Sequence, residues 1–97
     1  MGALASIHDH KDAILRLAEQ FGARRVRVFG SVARGDDTAD SDIDLLVLWG
    51  DQTSLTDWAG FQEEVEQLLG RNVDVVSETS LHWYIRERVL AEARPLL

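Results

Sequence analysis

Two carboxylates, Asp42 and Asp44, stand one residue apart at the head of an apolar run, Leu45-Leu46-Val47-Leu48-Trp49. Side chains alternate across an extended strand, so the two acids project to the same side. Two carboxylates about 4 Å apart repel by roughly 4 kcal/mol at an effective dielectric near 20, a large fraction of a small domain's stability. Left unpaired at the start of a core strand, they are a poor structural choice. A divalent cation turns the repulsion into attraction, and hard oxygen ligands suit Mg²⁺, which keeps waters and takes substrate phosphates as further ligands. Upstream, Gly30-Ser31 follows a short β-branched run, Val26-Arg27-Val28-Phe29. A glycine after a strand lets the backbone turn sharply and approach a ligand closely, and free N–H groups there attract anions. Ser31 adds a hydroxyl, and Arg34 lies one turn later on the same face. Singly, Gly-Ser is an ordinary turn and Asp-x-Asp an ordinary solvated pair; the combination is far more specific.

Gly30-Ser31, ten intervening residues and Asp42-Ile43-Asp44 resemble the signature of the DNA polymerase beta-like nucleotidyltransferases. The fuller Gly-Ser-Val-Ala-Arg-Gly-Asp followed by Ser-Asp-Ile-Asp-Leu-Leu-Val is similar to their minimal branch, and the resemblance covers nearly the whole chain. It implies a third acid on a later strand, where Asp74 stands in Val73-Asp74-Val75-Val76. It also implies two Mg²⁺ ions held by Asp42, Asp44 and Asp74, with ATP or another nucleoside triphosphate as donor. Gly30 and Ser31 would hold the triphosphate tail, with Arg34 as a further contributor, and Asp74 would help activate the acceptor hydroxyl. Minimal nucleotidyltransferases of this kind are paired with HEPN-type ribonuclease toxins, which they adenylylate as antitoxins. The implied role is therefore a protein adenylyltransferase within a hetero-oligomer. Two alternatives stay open: an idle nucleotidyltransferase fold that neutralises a partner by contact, and a small-molecule nucleotidyltransferase. Without the resemblance, Asp74 reads equally well as a surface residue on an edge strand.

The elements that must position these residues follow from periodicity. Apolar positions at Ile7, Ile14, Leu17, Ala18 and Phe21 predict one helix over residues 7–21, stopped by Gly22. His8 and His10, two apart on a helix, do not sit side by side and read as surface residues. Arg24, Arg25 and Arg27 read as solvated charges flanking the first strand, and Asp36, Asp37 and Asp40 as a solvated turn, with Ser41 shaping the entry to Asp42. Ser54 with Asp57 three positions on predicts a capped helix whose apolar side carries Leu55, Trp58, Phe61, Val65, Leu68 and Leu69, ended by Gly70. Glu63, Glu64 and Glu66 fall on its wet side. A third strand surrounds Asp74, and a last helix spans residues 80–94, closed by Pro95. His82, Trp83 and Tyr84 begin that helix; its Arg86 and Arg88 read as solvated. The order is helix, strand, Gly-Ser turn with a short helix, strand, helix, strand, helix. This is an α/β chain with a small mixed sheet and flanking helices, matching the core of polymerase-beta-like nucleotidyltransferases.

Ninety-seven residues, 45% hydrophobic and 28% charged, predict a single domain over 1–97 with one modest core. A formal charge of −7 argues against an extended nucleic-acid surface and suits a small Mg²⁺-escorted nucleotide with a protein acceptor. Absence of cysteine excludes disulfides and thiolate metal sites. The longest apolar run is five residues, too short for a membrane span, and no apolar leader opens the chain. A cytoplasmic protein is expected.

Overall fold

The strand around Val26 and the strand after Asp42 are joined by a connection long enough to reverse the chain, and they pair antiparallel. A computed structural model describes residues 2–96. Its elements are α1 (Ala3–Asp9), α2 (Lys11–Phe21), β1 (Ala23–Phe29), α3 (Gly30–Arg34), β2 (Ile43–Trp49), α4 (Leu55–Leu69), β3 (Val73–Ser77), a 3₁₀ turn (Glu78–Ser80), α5 (Trp83–Glu92) and a two-residue strand β4 (Arg94–Pro95). The sheet order is β3-β2-β1-β4, with β1 antiparallel to both β2 and β4, and β2 parallel to β3. The β2–β3 connection carries α4, as a parallel crossover requires.

One face of the sheet carries Val26, Val28, Ile43, Leu45, Val47, Val73 and Val75, which pack with Ile14, Ala18, Phe61 and Val65 of the helices in a single core. The alternation sends Arg27, Leu46, Asp44, Asp74 and Val76 to the other face. Leu46 on that second face is nonetheless fully buried. The run from Leu45 to Val47 is thus buried on both faces, as its unbroken apolar character requires. The ends of α5 tie to opposite ends of this second face: Arg86 Nη1 donates to the Glu78 carbonyl at 2.8 Å, and Glu92 accepts from the Gly30 N–H at 2.7 Å.

The helix stops fall at the glycines expected, Gly22 and Gly70, both left-handed. Ser54 and Asp57 form a reciprocal capping box on α4. Four expectations need correction. The first helix is two, α1 starting earlier at Ala3 and α2 at Lys11, because the chain breaks at His10 (φ −105°, ψ 13°), whose Nδ1 is 2.8 Å from the Ser6 carbonyl. The last segment helps build the sheet, since Arg94 and Pro95 pair with Val28 and Arg27. Arg27 is no solvated charge: its side chain is 18% exposed and lies 3.1 Å from Glu78, while Arg25, still 53% exposed, also binds Glu78 at 2.9 Å. Asp37 is no solvated turn residue either: its side chain is 1% exposed, accepting from the Ala3 N–H at 2.9 Å and lying 3.5 Å from Arg71.

Candidate active site

β1 delivers Gly30 beside the acids. Phe29, its last residue, is the register partner of Asp44, so the turn that follows lies against the head of β2. Gly30 has φ 75°, a conformation side chains rarely adopt, and a Cβ built on it would collide with Oδ2 of Asp44. A larger residue would be strained at that φ and would have to displace the Asp44 carboxylate. α3 then leads away from the turn, anchored by the buried Val32 and Ala33. That anchoring leaves Ser31 half-buried beside the turn and Arg34 exposed.

Asp42 is exposed just ahead of β2, Asp44 is half-buried within it, and Asp74 is the register partner of Asp44 across the parallel β2–β3 pair. The lone acid among valines therefore lies both on an edge strand and beside Asp44. Burial, then the charges of Asp74, Asp42 and Glu92, pushes Asp44 up to about 6, while Arg34 pulls the other way. Its environment is thus short of positive charge. Three hard oxygen donors around a carboxyl reluctant to ionise are a donor set that a divalent cation fits. Among the described residues no three His, Cys, Asp or Glu side chains are already gathered tightly enough to hold an ion. A polar cleft of about 510 Å³ opens beside Asp42, with Glu63, Glu66 and Arg71 in its lining.

Three further residues shape the site, and spacing gave no sign of them. Arg71, just before β3, donates through Nη2 to the carbonyls of Thr38 (2.9 Å) and Ser41, clamping the loop that leads into Asp42. Asp37 joins that clamp from the loop itself; its acceptance of the Ala3 N–H, with help from Arg71, holds its carboxyl below the ordinary value despite burial. The Ser41 hydroxyl accepts from the Thr38 N–H at 2.9 Å, so Ser41 does shape the approach to Asp42. Glu92, at the end of α5, accepts from both the Gly30 N–H and Arg34 Nη1. Trp83 and Tyr84, 80% and 66% exposed, begin α5 at the opposite end from Glu92 and stand apart from the acids.

The nucleotidyltransferase domain model matches residues 10–96, from within the first helices through β4 and including every residue of the candidate site. The chain belongs to this nucleotidyltransferase family. It is similar to the protein adenylyltransferase MntA of Thermococcus cleftensis, 43% identical over 76 residues that span 78% of this chain and 77% of the relative. A solved structure of a candidate minimal nucleotidyltransferase superposes with a TM-score of 0.88 at 48% identity, covering 99% of this chain and 97% of that one. The structure of a tri-AMPylated HEPN toxin bound to an MNT antitoxin from Shewanella oneidensis matches with a TM-score of 0.69, covering 94% of this chain and 71% of that chain. At 19% identity, that likeness concerns the fold alone. The small mixed sheet with flanking helices is the family's fold, as the motif resemblance implies. No described helix is long and apolar enough to cross a membrane.

Proposed function

We propose that this nucleotidyltransferase moves AMP from ATP to a hydroxyl of a partner protein, in a Mg²⁺-dependent reaction, as the antitoxin of a HEPN-type toxin. The reading is carried by one juxtaposition: the Gly30 turn packs directly on Asp44, which shares its register position with Asp74. A triphosphate tail held at the turn thereby has its α-phosphorus beside the acids. Its relatives support the acceptor class, since one is a protein adenylyltransferase and an antitoxin of like fold is bound to an AMPylated toxin.

Asp42, Asp44 and Asp74 are the residues that would hold Mg²⁺. A cation held there would supply charge neutralisation on the triphosphate and a lowered pKa for the acceptor hydroxyl. The Gly30 N–H, the Ser31 hydroxyl and Arg34 hold and orient the tail, so that the acceptor oxygen attacks the α-phosphorus in line and pyrophosphate leaves. Asp74, exposed on the edge strand, is open to a macromolecular acceptor and is the residue assigned to take its proton. Positioning and charge neutralisation supply most of the rate, as in phosphoryl transfer generally.

Incubation with the cognate toxin, Mg²⁺ and α-labelled ATP tests this. Label should pass to the toxin, whose mass should grow by whole AMP units, and Asp42→Asn and Asp44→Asn should each stop it. Full transfer by both variants would overturn the assignment. Neutralisation of the toxin by the unreactive double variant would instead favour a contact-only antitoxin.

A further inference from the structure

Glu92 lies outside the family motif, yet its carboxylate sits inside the site. A single oxygen, Oε1, accepts from the Gly30 N–H at 2.7 Å and from Arg34 Nη1 at 2.9 Å. These are two of the donors assigned above to the triphosphate tail, so the inference rests on that assignment. The side chain is 22% exposed, and its charge is felt at Asp44. Such placement is costly: a fourth acid is drawn into a region that already holds three. What holds it there is a pair of charge-assisted hydrogen bonds, each stronger than a neutral one.

We propose that Glu92 is a specificity-determining residue, a resident anion that fills the phosphate position of the Gly30 turn and yields it only to a strongly charged, cation-escorted phosphate chain. One oxygen cannot share both donors with a phosphate, so the ligand enters by exchange. An incoming anion must replace two hydrogen bonds and leave a released carboxylate facing Asp42, Asp44 and Asp74. A nucleoside triphosphate with Mg²⁺ can do both, because the cation offsets the released charge. A weak anion such as inorganic phosphate or AMP brings too little charge and no cation of its own. Glu92 thus screens out phosphate species without the triphosphate's charge.

Calorimetric titration of the full chain with Mg²⁺–ATP, and with AMP, tests the idea in the wild type, in Glu92→Gln and in Glu92→Asp. Glu92→Gln keeps the shape and weakens the acceptor. Its Kd for Mg²⁺–ATP should fall about tenfold, the factor that corresponds to roughly 1.4 kcal/mol. AMP should gain more than that, so that discrimination between the two narrows; an equal or smaller gain for AMP would overturn the specificity role. Glu92→Asp keeps the charge but withdraws it by a methylene, and should fall between the two. Thermal melts identify any variant that has not folded, and the aspartate variant then carries the test. A purely structural role predicts the opposite sign, weaker nucleotide binding in both variants. Equal or weaker Mg²⁺–ATP binding in folded variants, with normal binding by the wild type, would overturn the role of Glu92 alone. Failure of the wild type itself to bind Mg²⁺–ATP would overturn the nucleotide assignment and this inference with it.

Discussion

The second face of the sheet carries carboxylates at both ends, and the protein treats them in opposite ways. At one end Glu78, 5% exposed, is met by Arg25 and Arg27, and Arg86 binds its backbone carbonyl. Burial alone would raise its pKa, but Arg25 and Arg27 outweigh burial and hold it below the ordinary value. At the other end Asp44 is surrounded by Asp42, Asp74 and Glu92 with only Arg34 opposing them, and it rises to about 6. Where the fold supplies the counter-charge, a buried acid is a structural fastener. Where it withholds the counter-charge, the proposed function gives the acid a cation that arrives from outside. Charge compensation, more than burial, separates the two roles.

The sharpest way to break that contrast is to remove the uncompensated charge. Asp44→Asn should cut AMP transfer at least about a hundredfold, as loss of a group that stabilises transition-state charge does. The same change should make the metal-free protein more stable. A two-unit shift on a fully buried group corresponds to about 3 kcal/mol, and partial exposure of Asp44 reduces this to about 1 kcal/mol. A variant that is inactive and melts higher would mark a functional acid; one that melts lower would place Asp44 among the fasteners.

Removing the compensated charge should do the reverse. Glu78→Gln strands Arg25 and Arg27 around a neutral group and should cost about 2 kcal/mol in urea unfolding, the partial exposure of Arg25 keeping it below the full penalty for a broken buried pair. Label transfer by the folded fraction should be unchanged. Mg²⁺ supplies a smaller discrimination. Millimolar Mg²⁺ should raise the melting temperature of the wild type and of Glu78→Gln but not of Asp44→Asn, since a ligand stabilises only the state that binds it.

The smallest effect is in pH. The pKa of Asp44 is higher folded, about 6, than its ordinary value of 3.8, so the folded state holds more protons between them. Its contribution is unfavourable above pH 6 and is relieved as pH falls toward 3.8. The folded pKa of Glu78 is depressed below 4.5, so its contribution is present above that value and is lost as pH falls through the folded pKa. The stability difference between Asp44→Asn and wild type, measured by urea midpoint without metal, should therefore shrink on acidification from pH 7 to 4. The corresponding difference for Glu78→Gln should hold until lower pH and then close. Parallel curves for the two variants would erase the contrast.

Local signals foretold most of the fold. Gly22 and Gly70 end helices because left-handed backbone is cheap only for glycine, and the Ser54–Asp57 box is a contact within one turn. The apolar run Leu45–Trp49 announced a strand covered on both faces, and its first three residues are so covered. The break at His10 was hidden because Ile7 and Ile14, seven residues apart, satisfy one helical stripe whether or not the helix is continuous. Strand β4 was hidden because two residues carry no periodicity and their strand character comes only from pairing with β1.

What the sequence determined alone was everything set within a few residues: the apolar alternation, the caps, and a Gly-Ser turn and acid pair whose chemistry is fixed by their own atoms. Tertiary structure decided which distant charges meet. Asp74 was ambiguous until the parallel register set it beside Asp44, Asp37 looked solvated until Arg71 closed over it, and Glu92 had no meaning until α5 carried it back to Gly30. Electrostatic energy depends on separation in space and on what else is excluded from it, and the spacing of acids along a chain records neither.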